Sequence, residues 1–299
     1  MAGELVRTRA EIRVPAARRR SLDLRNIGWV LPFATFLLLI FGGAILAPVI
    51  VPHDPTAQSI STRLSRPALL GGNAAYLLGS DGLGRDILSR LLVGAQASLL
   101  VGAAGVVIGS IVGTILGLIA GYFGGLVDEG ITALADVQLA FPFILLAIAV
   151  VAVLGPSLPN LIIVVGLSGW VTYARVCRGA ALRLRSEEYV MAVRAIGGSD
   201  LRIIWKHILP NYVPTLIVLI TLDMPRLILL ESTLSFLGLG IQPPTPSWGG
   251  IVSEGRQYLD SAWWIAVAPG VALLLTTLSI NRVGDWLRSY LDPALKASA

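Results

Sequence analysis

The sequence is short of the residues from which soluble enzymes and metal sites are built. Its single cysteine, Cys177, excludes an intramolecular disulfide and any multi-cysteine metal site. It has two lysines, Lys206 and Lys296, and neither ends a G-x-x-x-x-G-K-[ST] run, so the chain carries no P-loop. Two histidines, His53 and His207, stand far apart and leave little material for a His-based metal centre or a Ser-His-Asp triad. The expectation is a chain with no catalytic residue and no metal, not an enzyme. Charge is scarce as well: Asp, Glu, Lys and Arg make up 14% of the residues against about 25% in soluble domains. With 55% hydrophobic residues, the composition is that of a polytopic membrane protein, whose natural unit is an apolar span of ~20 residues.

The charge that is present lies asymmetrically. A net charge of +5 could suggest a nucleic-acid partner, but Arg7, Arg9, Arg13, Arg18, Arg19, Arg20 and Arg25 all precede the first apolar run. That is a positive-inside signature, so no nucleic acid is expected. Residues 1–26 read as a flexible cytoplasmic arm, being Arg-rich and without sustained apolar periodicity. The first span covers 27–51. Its apolar run exceeds the roughly 7–15 residues of a signal-peptide core and no clean A-x-A site follows, so an uncleaved helix is expected. Residues 52–93 form an external loop, broken by Pro52, Pro67, Gly71 and Gly72, and a polar lead-in helix holding Asp81, Arg85, Asp86 and Arg90.

The core, 94–285, holds further spans at about Ser98 to Ala120, Ala133 to Leu154, Leu161 to Gly179, Tyr212 to Leu237 and Trp263 to Val283. A tight turn is expected at Gly121 to Glu129, basic side chains Arg175 and Arg178 snorkel at the end of the fourth span, and 286–299 is a tail. One side then carries seven Lys and Arg in the arm, seven from Arg175 to Lys206 and three at the C-terminal end, against five on the other side. Both termini are therefore expected to be cytoplasmic. The fold class is an all-α membrane protein of about six transmembrane helices.

One stretch, Ser186 to Asn211 (SEEYVMAVRAIGGSDLRIIWKHILPN), is polar and amphipathic amid membrane-apolar sequence. It reads as two short helices broken at Gly197-Gly198. Ser186 caps the first, and Glu187 with Glu188 place negative charge at its N-terminal end. Tyr189, Val193 and Ile196, with Ala192 beside them, recur at helical spacing and make one apolar face. The glycine pair permits a sharp turn, Ser199 or Asp200 caps the second helix, and Leu209-Pro210 ends it. On these residues alone, an ordinary amphipathic interfacial hairpin stands beside a docking element.

This stretch resembles the EAA loop of ABC-transporter permeases, a cytoplasmic helix-turn-helix that docks into a groove on the ATPase subunit. Aligned on the motif's glycine, Ala192, Gly197, Leu209 and Pro210 match the pattern Glu-Ala-Ala, three residues, Gly, nine residues, Ile-x-Leu-Pro. Met191 stands for its Glu, Val193 for an Ala and His207 for the Ile. The EYV lead-in and HILPN ending are similar to the dipeptide, oligopeptide and nickel branch, as are LGSDGLGRDILSRLLVGAQASLLVG from Leu78, ESTLSFLGLGIQPPTPSWG, and NRVGDWLRSYLDP at the end of the sixth span. The resemblance covers Leu78 to Pro293. Taken alone, GLGRD is similar to a glycine-rich phosphate loop, yet no lysine follows it and no strand precedes it.

The resemblance implies a type I ABC importer permease fold in a bacterial or archaeal plasma (inner) membrane. It implies a coupling loop in which Glu188, Ala192, Arg194, Gly197, Asp200, Leu209 and Pro210 meet the ATPase. It further implies a homologous second permease, two ABC ATPase subunits that bind the ATP, an extracytoplasmic substrate-binding protein, and no cofactor on this chain. Peptides are the implied cargo, with nickel and glutathione as branch alternatives. A reading from another class is a non-transporting membrane scaffold or receptor with a similar hairpin.

Three charged residues, Asp223, Arg226 and Glu231, fall inside the fifth span. Asp223 lies 13 residues past Pro210, so at ~1.5 Å per residue it sits ~20 Å along the helix and inside a ~30 Å hydrocarbon core. Asp223 and Arg226 are spaced to pair on one helix face, whereas Glu231 needs another partner. The pair either neutralises itself and packs, or lines a pathway. Outside the membrane, Pro243 to Trp248 is expected to form a rigid external loop near the pathway mouth, with Trp248 at the membrane interface.

Overall fold

The computed structural model describes residues 24–291, with side chains described from Gly28 to Tyr290. The arm arginines from Arg7 to Arg25, and Lys296 in the tail, lie outside those described side chains. Helix α1 (Leu24–Ile50) is apolar along its length and lies on the outside of the bundle against the second and last long helices. The chain then runs through loop structure to α2 (Ile87–Phe123), a single helix of 37 residues. Its start is fixed by Asp86, whose carboxylate accepts from the Ser89 backbone N–H at 2.9 Å and the Ser89 hydroxyl at 2.6 Å. The polar lead-in helix is thus not a separate element: Asp81 and Arg85 stand in the turn ahead of α2, Asp86 caps it, and Arg90 alone of the four lies within it.

The expected turn at Gly121 to Glu129 is much tighter. Residues 121–123 still belong to α2, Gly124 and Gly125 turn the chain with φ of +68° and +54°, and α3 (Gly125–Ala140) takes in Asp128 and Glu129. The third span is not straight. α3 and α4 (Phe143–Leu154) meet at 89°, because Pro142 drives the preceding Phe141 to an extended conformation, φ −100° and ψ 134°. α5 (Leu158–Leu184) follows, capped by Ser157. Its Arg175 and Arg178 do not snorkel freely: Arg175 pairs with Asp136 at 2.7 Å and Arg178 with Asp128, both on α3.

α2 and α5 make the most extensive helix contact in the chain. Gly105, Gly109, Gly113, Gly117 and Gly121 recur every fourth residue along α2 and lie against the α5 backbone. A Cβ on Gly121 would stand 2.6 Å from the Arg178 carbonyl oxygen, and one on Gly109 would stand 2.9 Å from that of Gly166. This is close backbone packing of the kind small residues permit between membrane helices.

After α5 come α6 (Glu188–Ala195) and α7 (Asp200–Ile203). The chain does not stop at Leu209-Pro210 as expected. It passes through one π-helical stretch, Ile204–Ile208, into α8 (Leu209–Phe236), whose first turn accommodates Pro210. A proline there lacks only an N–H that the wider turn leaves without a helical partner. α9 (Trp248–Gly255) and α10 (Trp264–Leu291) complete the helices of the described residues. Trp248, expected at the membrane interface, is fully buried. Its indole N–H donates to the Leu91 carbonyl at 3.0 Å, because Ser247 caps α9 and turns its first residue into the bundle. Among the described residues, five helices are long and apolar enough to cross a membrane, or six when the bent α3–α4 pair is taken as one span. Among the described residues there is no strand.

Candidate functional site

The α6–α7 hairpin is built as its sequence suggests at the turn and differently on its faces. Gly197 has φ of +85°, its N–H donates to the Arg194 carbonyl at 3.0 Å, and the Gly198 N–H donates to the Val193 carbonyl at 2.9 Å. These two bonds form a Schellman ending, which needs a left-handed residue at the position Gly197 fills. Ser186 does not cap α6: its hydroxyl donates back to the Arg183 carbonyl, and Glu187 holds the capping position without a side-chain bond.

The apolar face read from the helical spacing is largely exposed. Val190 packs inside with Ile203, Ile204 and Ile208, against Leu118 and Tyr122 of α2 and Cys177, Ala181 and Leu184 of α5. Tyr189 and Met191 remain outside, as do Ile196 at 86% and Leu201 at 67% exposure, with Trp205 beside them. Val193 sits between the two environments. The stripe marked by the spacing is thus the one left mostly outside, while Val190, off that stripe, is the residue of α6 that is buried. These exposed apolar side chains are flanked by the exposed Glu188, Arg194, Arg202 and Lys206.

Among the expected coupling residues, Glu188, Ala192, Arg194, Gly197, Asp200 and Pro210 are exposed and Leu209 is half-buried. The structure brings Arg194 and Asp200 together through Tyr122, which the sequence did not single out. The Tyr122 hydroxyl donates to Asp200 Oδ1 at 2.5 Å and accepts from Arg194 Nη2 at 3.0 Å, while the Arg194 guanidinium lies 5.5 Å from the centre of the tyrosine ring. The bond to Tyr122 raises the Arg194 pKa further, so this group stays charged. Glu188 makes no ion pair among the described residues.

Within α8, Asp223 and Arg226 pair at 2.6 Å, and Asp223 also accepts from the Tyr173 hydroxyl of α5 at 3.1 Å. Gly169 of α5 makes room for them, since a Cβ there would meet Asp223 Oδ2 at 3.0 Å and Arg226 Nη2 at 3.2 Å. The Arg226 side chain remains 49% exposed, whereas that of Asp223 is 12% exposed. Glu231 is not part of this group. It is fully buried and accepts from the Ser235 hydroxyl at 2.6 Å and the Ser232 hydroxyl at 3.3 Å.

At the opposite end of α2, Asp81, Arg85, Arg90 and Glu254 form an ion network joining the loop ahead of α2 to α9. Arg85 donates to Asp81 at 2.6 Å and to Glu254 at 2.7 Å; Arg90 donates to Asp81 and, from two nitrogens, to Glu254 at 2.6 and 3.0 Å. The sequence marked three of these four residues but gave no sign of their partner Glu254, 164 residues beyond Arg90. A cavity of about 540 Å³ opens beside the network, walled in part by Asp81, Arg85, Glu254 and Tyr258 and rimmed by Pro243 and Pro244.

The arrangement is a membrane bundle with an exposed hairpin at one end and an ion-bonded cluster at the other. The family described as binding-protein-dependent transport system inner membrane component matches residues 113–297. The di/tripeptide transport system permease protein DppC of Pseudomonas aeruginosa is 45% identical over 265 residues, covering 88% of each chain. The dipeptide transport system permease protein DppC of Escherichia coli K12 is 45% identical over 273 residues, covering 91% of each. Among solved structures, an inward-facing MetNI methionine ABC transporter chain aligns at a TM-score of 0.55 and 19% identity, covering 69% of this chain and 98% of that one, and so bears out the fold. The matched profile spans well over half of the sequence and the relatives nearly all of it, so the chain belongs to the family of binding-protein-dependent transport system inner membrane components.

Proposed function

We propose that this chain is the peptide-conducting permease subunit of an ATP-driven importer. It lines the translocation pathway with a homologous second permease, docks one of the two ABC ATPase subunits through its α6–α7 hairpin, and receives substrate from an extracytoplasmic binding protein at the Asp81–Glu254 end. The plasma (inner) membrane of a bacterium or archaeon is its site, with both termini and the hairpin cytoplasmic, in keeping with the basic residues that flank the hairpin. ATP is bound by the partners, and this chain supplies no nucleotide site, metal or catalytic residue. The observation that carries the reading is the hairpin: an exposed apolar surface on a rigid glycine turn, bedded directly on the ends of α2 and α5. Peptide cargo is supported by the names of relatives similar along most of the chain.

Mechanistically, closure of the two ATPases shifts the hairpins, and the attached spans tilt between inward- and outward-open states. The ATPases drive this only to the extent that they bind the two states differently. The experiment that tests the reading is co-purification of the ATPase subunits with the chain. Association is expected with the native hairpin and lost when residues 186–211 are replaced; association that survives replacement would sink it.

Along the pathway, Arg226 presents a half-exposed guanidinium inside a membrane span, where charge is costly and usually faces a cavity or partner. It suits the carboxylate of a zwitterionic peptide, with Asp223 toward the amine. Reversal of the pair, Asp223→Arg with Arg226→Asp, is expected to restore assembly relative to either single variant and to change substrate preference in uptake competition. Unchanged preference would make the pair a packing element.

Gly197→Val is expected to uncouple transport by at least tenfold. The left-handed conformation costs a non-glycine residue about 1–2 kcal/mol, more when β-branched, and a Schellman ending has no alternative geometry. No atom stands within 4 Å of the position a Cβ would take, so the effect is conformational and Gly197→Asn should retain much of the activity. Uptake assays on both variants check this; equal loss in both would point to a steric cause instead.

A further inference from the structure

We propose that Tyr122 is a positioning residue that fastens the coupling hairpin to α2, so that displacement of the hairpin is carried along α2 to the far side of the membrane. The inference rests on the hairpin being the ATPase dock and adds a residue outside it.

Three observations converge on Tyr122. First, its hydroxyl bridges both halves of the hairpin, donating to Asp200 at the start of α7 and accepting from Arg194 near the end of α6. The two helices are otherwise joined by the glycine turn and by little direct contact with each other. Second, the end of α2 that bears Tyr122 is itself held: Arg185, at the end of α5, donates from one nitrogen to the carbonyls of Gly121 and Tyr122 at 3.1 and 3.0 Å. Those carbonyls belong to the last turn of α2 and have no helical partner, so the guanidinium closes the helix end and ties it to α5.

Third, α2 is suited to transmit what it receives. It is one unbroken helix, ~55 Å long at ~1.5 Å per residue, with no proline inside it. Its glycines set its backbone against α5 at five successive positions, which leaves little room for the two helices to slide. At its far end sits Arg90, bonded to Glu254 of α9. A pull on Tyr122 therefore moves α2 and α5 as one body and reaches α9 through the Arg90–Glu254 contact. Packed elements of this kind switch between discrete arrangements rather than deform continuously.

Tyr122→Phe keeps the ring, its packing and its contact with the Arg194 guanidinium while removing both hydroxyl bonds. In the reconstituted complex with its ATPases and binding protein, this variant and Asp200→Ala are each expected to lower binding-protein-stimulated ATP hydrolysis by about fivefold or more, the lower edge of a usual coupling energy. In Tyr122→Phe, which lies outside the hairpin, ATPase co-purification and the melting temperature of the complex should stay unaltered. The double variant Tyr122→Phe/Asp200→Ala should be no worse than the worse single one. Full stimulation in Tyr122→Phe, loss of assembly in it, or multiplying losses in the double variant would each overturn the inference. Absence of stimulation in the unaltered complex would overturn the docking reading and this inference with it.

Discussion

Gly117→Val is expected to abolish assembly of the transporter. Gly117 is the fourth of the five glycines of the α2 stripe, and a Cβ there would overlap the Ala174 carbonyl oxygen, approach the Cys177 Cβ at 2.8 Å and reach the Ala174 Cα at 3.0 Å. The obstructing atoms are mainly backbone, so no rotamer change relieves them. α2 and α5 would have to part, and with them the long interface on which the rest of the bundle rests. Overpacking a core by a methylene or two typically costs about 1–3 kcal/mol when side chains can yield; here the cost should exceed that range. Gly179→Ala on the facing helix is the control. A Cβ there meets nothing within 4 Å, so the variant should be neutral or slightly more stable through its better helix propensity. Expression level and melting temperature of the purified complex separate the two, and similar values for both variants would mean that the close approach does not matter.

Arg90→Ala should be the most damaging single charge removal. Its side chain is 2% exposed, and it donates to two carboxylates on different elements, Asp81 ahead of α2 and Glu254 on α9. Removing one member of a buried ion pair typically costs about 3–5 kcal/mol, because the remaining charge stays desolvated. Arg85 still reaches both carboxylates, which puts the expected cost near the lower figure, about 3 kcal/mol. Arg90→Lys should recover only part of it, since one ammonium cannot reproduce the two-nitrogen contact with Glu254. Glu254→Gln, at a side chain 33% exposed, should be milder than either. Thermal melting of the complex gives the order; a Glu254→Gln loss equal to that of Arg90→Ala would show that burial does not set the energetics of this network.

The parts of this molecule that were legible in the sequence are those where one local signal decides. Apolar length gave the spans, and Gly197-Gly198 gave a turn that the structure places where only glycine sits comfortably. The bend between α3 and α4 escaped because hydropathy measures how apolar a stretch is and says nothing of its direction. The signal was nonetheless present in Phe141-Pro142, since proline restrains the residue before it even in a membrane. Trp248 was assigned by residue type to an interface, but Ser247 and the packing of α9 on α2 decided its place.

The rest depends on partners distant in the chain. Asp81, Arg85 and Arg90 announced a polar cluster, but Glu254 completes it from α9. Asp223 and Arg226 were legible as a pair because they share a helix, while Tyr173 and Gly169 that hold them belong to α5. The glycine stripe on α2 was readable as a fourfold period and points to a close helix neighbour, though not to which one. Nothing local marks Tyr122, whose importance lies wholly in what the fold brings to its hydroxyl.

The most direct test of the central claim is uptake of a radiolabelled dipeptide into proteoliposomes that contain this chain with its second permease and ATPases, supplied with the binding protein outside. The account predicts accumulation that requires ATP hydrolysis inside, is competed by other short peptides, and falls at least tenfold with Gly197→Val. Accumulation of nickel or glutathione without accumulation of peptide, or peptide accumulation that persists without ATP, would contradict it.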